Sequence, residues 1–124
     1  DRSTWLAVCR LADLVPERGV AALVDATAVA IFLLPDGMVR AIGNIDPCSG
    51  ASVLSRGLVG ETSVDGRRVR YVASPLRKQR FDLDTGRCLD AEVGAGTWAA
   101  RVVDGVVEVA STASRSGNDP ETGS

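Results

Sequence analysis

Three Asp-Gly pairs, Asp36-Gly37, Asp65-Gly66 and Asp104-Gly105, punctuate this chain, each flanked by residues rich in Val, Ile and aromatics. Both residue types tolerate the left-handed backbone of tight hairpins, so the pairs commit their flanks to antiparallel pairing. Thr85-Gly86 marks a fourth turn. Strands are predicted over Trp5–Arg10, Val20–Val24, Ala28–Leu34, Met38–Gly43, Arg68–Ala73, Gln79–Leu83, Thr97–Val103 and Val106–Ala110. No segment sustains a 3.6-residue apolar stripe, and only a single helical turn is expected, over Leu11–Pro16 with Asp13 able to cap it. Short strands turned this often predict an all-β antiparallel sandwich or barrel.

Strand patterning also assigns faces. Val69, Tyr71 and Ala73 alternate with Arg68 and Arg70, which predicts a half-buried strand. Val29-Ala30-Ile31-Phe32-Leu33-Leu34 is apolar throughout, as expected of a strand covered on both sides. Trp5 and Trp98 fall in predicted strands and read as core. From Ser111 the residues turn polar and small, so 111–124 reads as a flexible tail beyond a domain of residues 1–110.

Composition excludes several function classes. A net charge of −2 gives no footprint for nucleic acid. The longest apolar run stops at Pro35, too short to cross a membrane. The opening residues show no leader pattern, and Asp1 in place of Met is compatible with a longer natural chain. Cys9, Cys48 and Cys88 are odd in number and lack Cys-x-x-Cys spacing, which suits a reducing compartment and predicts a cytoplasmic protein with no metal held by its thiols. With no histidine in the chain, triads that need one are excluded. Gly57-Leu58-Val59-Gly60 lacks the strand–loop–helix context of a phosphate site. No catalytic residue is expected.

Two runs remain. Ser74-Pro75-Leu76-Arg77-Lys78-Gln79-Arg80-Phe81-Asp82-Leu83-Asp84-Thr85-Gly86 resembles the second ligand box of Rieske domains, Cys-Pro-x-His followed by Phe-Asp-x-x-Thr-Gly. Asp46-Pro47-Cys48-Ser49-Gly50-Ala51-Ser52-Val53-Leu54 resembles the first, Cys-x-His-x-Gly-Ala-x-Leu. Aligned this way, Asp46 and Ser74 stand at the cysteine positions, and Cys48 and Arg77 at the histidine positions. A Rieske cluster needs two thiolates and two imidazoles, and a guanidinium has no lone pair to donate. The resemblance therefore implies a Rieske-like sandwich whose cluster-type subdomain, about Gly43–Asp84, lacks its ligands.

The form Ser74-Pro75-Leu76-x-Lys78-Gln79 is more specific. With Trp5-x-x-Val8-Cys9, Asn44-x-Asp46-Pro47, Val53-Leu54-Ser55-Arg56-Gly57 and Cys88-Leu89-Asp90, it is similar to the small subunits of assimilatory NAD(P)H-dependent nitrite reductase. Members resembling this chain often carry Phe where Cys48 stands, which reads as a packing variation. The resemblance implies no cofactor in this chain, and a large-subunit partner carrying FAD, a [4Fe-4S] cluster and sirohaem that reduces nitrite to ammonium. It also implies docking through the two loops, with Arg77, Lys78 and Arg80 as contact residues. Arg67, Arg68 and Arg70 read as an ordinary solvated strand face. Asp46 and Ser74 are expected to hold the loops closed by hydrogen bonding, and Asp82 to fix its turn. The alternatives are a Rieske-type ferredoxin electron carrier and a stand-alone protein-interaction domain.

Overall fold

The computed structural model describes residues 4–113. Ten strands form three antiparallel sheets among these residues. In chain order they are β1 (Trp5–Arg10), β2 (Val20–Val24), β3 (Thr27–Leu33), β4 (Val39–Gly43), β5 (Leu58–Val64), β6 (Arg67–Ala73), β7 (Arg80–Asp82), β8 (Thr97–Trp98), β9 (Ala100–Val103) and β10 (Val106–Ala110). The sheet orders are β1-β10-β9, β2-β3-β4-β8 and β5-β6-β7. The all-β antiparallel expectation is met.

Two of the three Asp-Gly pairs form the expected turn, whereas in Asp36-Gly37 only Gly37 is left-handed, at φ of 90°. Asp65 and Gly66 have φ of 52° and 81°, and Asp104 and Gly105 have 52° and 77°, so both central residues are left-handed and the turn twist matches the strands. Asp25 and Ala26 make the same turn between β2 and β3 at φ of 54° and 71°, although no glycine announces it.

β3 is the wall between two cores. Ala30 and Phe32 face a cluster with Ile42, Leu54, Val72, Phe81 and Leu83. Val29 and Ile31 face the other way, against Leu14, Val24, Val39, Val107 and Val109. A strand with apolar neighbours on both sides has no solvent face, which is why its sequence does not alternate.

Four expectations need correction. β5 is not among the expected strands, because Gly57 just before it, Gly60 within it and Glu61-Thr62-Ser63 look like loop; it pairs with β6 along its whole length. Gly60 belongs there for space, since a Cβ would lie 2.6 Å from the Tyr71 hydroxyl oxygen. The predicted strand Thr97–Val103 divides at Ala99: β8 pairs with β4, and β9 with β10, so the chain changes sheet. β6 is not half-buried, because Val72, on the side of Arg68 and Arg70, is fully buried in the first core. The turn at Leu11–Asp13 is a single 3₁₀ turn that Asp13 does not cap; its carboxylate instead meets the Arg10 guanidinium at 3.2 Å.

The tryptophans are half-buried rather than enclosed. Trp98 packs on the second core, and Trp5 lies under the Arg101 guanidinium at 4.0 Å. No helix among the described residues is long and apolar enough to cross a membrane. Of the expected tail, Ser111 is bound, its N–H donating to the Thr4 carbonyl at 2.8 Å; residues 114–124 lie outside the described residues.

Candidate functional site: two loops joined through a buried hydroxyl and carboxylate

The first loop leaves β4 at Asn44. This side chain, 3% exposed, donates to Ser52 Oγ at 2.8 Å and accepts the Ser55 N–H at 2.7 Å, so one amide spans the loop's returning arm. Within the loop, the Asp46 carbonyl accepts the Gly50 N–H at 2.7 Å, and Asp46 Oδ1 accepts the Cys48 N–H at 2.8 Å. An aspartate bonding its own backbone two residues on is the usual Asx device for holding a bend.

The second loop joins β6 to β7. The Ser74 N–H donates to the Gln79 carbonyl, and the Lys78 N–H to the Ser74 carbonyl, both at 2.9 Å. Ser74 Oγ also accepts the Leu76 N–H at 3.3 Å. Its own proton goes to Asp46 Oδ2 at 2.6 Å, a short bond of the kind a charged acceptor makes. Asp46 and Ser74 are 0% and 1% exposed, so this bond ties the loops through their inner sides.

A carboxylate so enclosed must be stabilised to stay charged. Burial raises the Asp46 carboxyl, but hydrogen bonds from Ser74, from the Cys48 N–H and from Ser49 outweigh it and leave it below the ordinary aspartate value. The expectation that Asp46 and Ser74 hold the loops closed is met.

Outside this seam the tip is apolar and basic. Ile45 and Leu76 are 49% and 55% exposed, and Arg77 and Lys78 stand beside Leu76 in solvent. Lys78 has φ of 65°, a strained left-handed backbone for a lysine. Cys48 is half-buried; burial pushes its thiol up, Asp46 and Cys88 push further, and only Arg77 opposes them. A thiol raised in this way is a poor nucleophile.

Arg80 differs from its neighbours. Its guanidinium meets the Asp90 carboxylate at 2.8 and 3.1 Å, its N–H donates to Asp90 at 2.9 Å, and it lies over the Tyr71 ring at 5.6 Å. These bonds hold the Asp90 carboxyl below its ordinary value. Arg80 is thus occupied in closing β7 against Asp90. Arg68 is exposed and pairs with Glu61 at 3.6 Å as a solvated face would, whereas Arg70 is half-buried and bridges Glu61 and Asp36, both at 3.5 Å. Asp82 accepts the Asp84 N–H at 2.8 Å and fixes its turn as expected.

Asn44 and Asp90 stand in the motifs that carry the resemblance, but the sequence alone assigned neither a role. Asn44 had a signal, an amide between a strand and Asp-Pro, where side chains commonly bond loop backbone. Asp90 had none, since its partner lies ten residues away in sequence. A cleft of about 550 Å³ opens between Pro16–Gly19 and Ser55–Leu58, and no residue of either loop tip lines it.

The family profile for the Rieske-like [2Fe-2S] domain matches residues 4–110. This chain belongs to that family. Within it, this Rieske-like chain is 45% identical over 109 residues to the nitrite reductase (NADH) small subunit of Escherichia coli K12, covering 86% of this chain and 97% of that one. The NMR structure of the E. coli protein NirD superposes with a TM-score of 0.77 at 45% identity, covering 87% of this chain and 96% of the other. A nitrite reductase [NAD(P)H] large subunit from Klebsiella oxytoca is 37% identical over 106 residues, 85% of this chain but 11% of its own length.

The donor set of this Rieske-like chain does not fit the cluster its family is named for. Asp46 and Ser74 are spent on each other, Arg77 has no lone pair, Cys48 is a single thiol, and the chain has no imidazole. Among the described residues, no group of three or more Cys, Asp or Glu side chains is placed to hold a metal ion.

Proposed function

We propose that this chain is the cluster-free small subunit of an NAD(P)H-dependent nitrite reductase, docking through its two-loop tip on a large subunit that carries FAD, [4Fe-4S] and sirohaem. Its setting is cytoplasmic nitrate assimilation, and its domain spans residues 1–110 with the cluster-type subdomain at about 43–84. The observation that carries the reading is the Ser74–Asp46 hydrogen bond. It occupies two of the four ligand positions and keeps both loops in place without iron. The likeness to the E. coli small subunit, and the occurrence of a related segment inside a large-subunit chain, support the partner.

The tip's role is binding rather than electron transfer. Its loops are held by their own hydrogen bonds before any partner arrives, so little ordering entropy is lost on association. Ile45 and Leu76 supply apolar area, while Arg77 and Lys78 set approach rate and register toward an acidic surface.

The test is co-purification of the full chain with the large subunit, comparing wild type with Arg77→Glu and Lys78→Glu. Weaker association at unchanged folding stability is expected, and undiminished binding would remove the tip as the docking site. The same wild-type preparation is expected to be colourless when isolated; stoichiometric iron and sulfide would overturn the cluster-free reading.

A further inference from the structure

β5 has one paired side and one open side. It is the outer strand of the β5-β6-β7 sheet and pairs with β6 alone, in unbroken register from Leu58 against Ala73 to Val64 against Arg67. On the far side of β6 the Leu83 N–H donates to the Arg70 carbonyl at 2.9 Å, so Arg70 turns its backbone away from β5. By the alternation of antiparallel ladders, Arg68 and Val72 do the same. Their opposite residues Ser63, Glu61 and Val59 therefore aim N–H and C=O groups outward, away from β6. Among the described residues, no backbone bond from another element reaches these three.

Natural sheets shield such an edge with proline, lysine, a bulge or a very short strand. β5 has none of these over its seven residues. Open space follows it instead. The cleft between Pro16–Gly19 and Ser55–Leu58 ends on Leu58, which is 79% exposed. A second, of about 110 Å³, is lined by Val59, Gly60 and Glu61 with Glu17, Pro35 and Arg70. A third, of about 290 Å³, is lined by Glu61, Thr62, Ser63, Gly66 and Arg68.

Both ends of the edge are basic. Arg18 and Arg56 line the cleft at the Leu58 end, exposed and, among the described residues, without an ion pair; Glu17 beside them offsets one charge. At the other end stand Arg67 and Arg68, both exposed, of which Arg68 reaches Glu61 at 3.6 Å. A second copy of this chain is a poor occupant. Antiparallel pairing over the whole strand would centre on Glu61 and set that carboxylate against its own copy, like charge opposite like charge. An acidic strand suits the edge.

We infer that this chain takes an extended, acidic segment of its large subunit as an added strand along the open edge of β5. The inference rests on the nitrite reductase reading and gives it a second contact beside the tip. Leu58 pairs with Ala73, the residue before Ser74, so the edge begins where the second loop does and one partner can engage both. Backbone bonds supply the affinity, while the arginines select acidic residues in the segment.

The experiment measures hydrogen exchange amide by amide in the full chain, alone and bound to its own large subunit. The Val59, Glu61 and Ser63 amides are expected to exchange fast in the free chain and about tenfold or more slowly in the complex, with little change at Gly60 and Thr62, which already bond β6. No slowing at the three in a formed complex would overturn the added strand and leave the nitrite reductase reading standing. Ser63→Pro removes one outward N–H at an edge position that tolerates proline, and is expected to weaken the complex about five- to tenfold in a chain whose circular dichroism shows it folded. Ser63→Ala keeps that N–H, so equal weakening in both variants would assign the loss to the hydroxyl and overturn the proposal. Arg18→Glu combined with Arg56→Glu is expected to cost about tenfold in affinity, and unchanged binding would overturn the acidic character of the segment. Absence of any complex with the unmodified chain is a separate outcome, and it would sink the nitrite reductase reading together with this inference.

Discussion

Ser74 and Asp46 meet at 2.6 Å, hydroxyl to carboxylate, at a point screened from water. The bond is the mechanical link between loops 28 residues apart. Removing one partner leaves a buried polar group unsatisfied, so Ser74→Ala is expected to cost about 1–3 kcal/mol in thermal or urea unfolding. Asp46→Ala is expected to cost at least as much, because it also releases the Cys48 N–H. The double variant is expected to lose less than the sum of the singles. Strict additivity would show that the two residues act independently.

Acid should loosen the same seam. The Asp46 carboxyl is held below its ordinary value when folded, so its contribution is fully present above the unfolded value, about 3.9, and fades as pH falls through the lower folded value. Asp90, held low by Arg80, adds in the same direction. Unfolding free energy is therefore expected to fall as pH drops below about 4. Asp46→Asn, which cannot ionise, should flatten that fall. An identical acid profile in the variant would locate the sensitivity elsewhere.

Arg80 and Arg77 are close in sequence but should fail differently. Arg80→Ala removes the bonds to Asp90 and the stacking on Tyr71, and is expected to lower stability by about 1 kcal/mol, a modest figure because the pair is partly solvated. Arg77→Ala should leave the unfolding midpoint unchanged and weaken partner binding. Stability losses of equal size would show that Arg77 also has a structural partner.

The β2–β3 turn offers a stabilising change. Ala26 sits at φ of 71°, where an L side chain costs about 1–2 kcal/mol. Glycine removes that strain but gains freedom in the unfolded chain, so Ala26→Gly is expected to add about 0.5–1 kcal/mol net. The midpoint of thermal unfolding should rise by a few degrees. A fall would mean that the alanine methyl makes a contact worth more than the strain.

Much of the fold was readable because its signals are local. Asp65-Gly66 and Asp104-Gly105 declare their turns through backbone preference, and the unbroken apolar run through Phe32 declares a strand covered on both faces. β5 was hidden because its glycine answers the Tyr71 ring on the neighbouring strand rather than any preference of its own. In sequence Arg80 reads as part of a basic tip, and only the fold sets Asp90 against it.

Chemistry excluded by residue type needed no coordinates: with no histidine and a guanidinium at one ligand position, the Rieske donor set cannot be assembled from this chain. Hairpin positions likewise followed from residues adjacent along the backbone, where steric preference acts over one or two peptide units. Pairing across distance was settled by packing alone. Ser74 against Asp46, Asn44 across its loop, Arg80 on Asp90 and the sheet change at Ala99 each depend on which surfaces the two cores bring together. Such contacts gain their strength from shared burial, a property that neither partner's immediate sequence encodes.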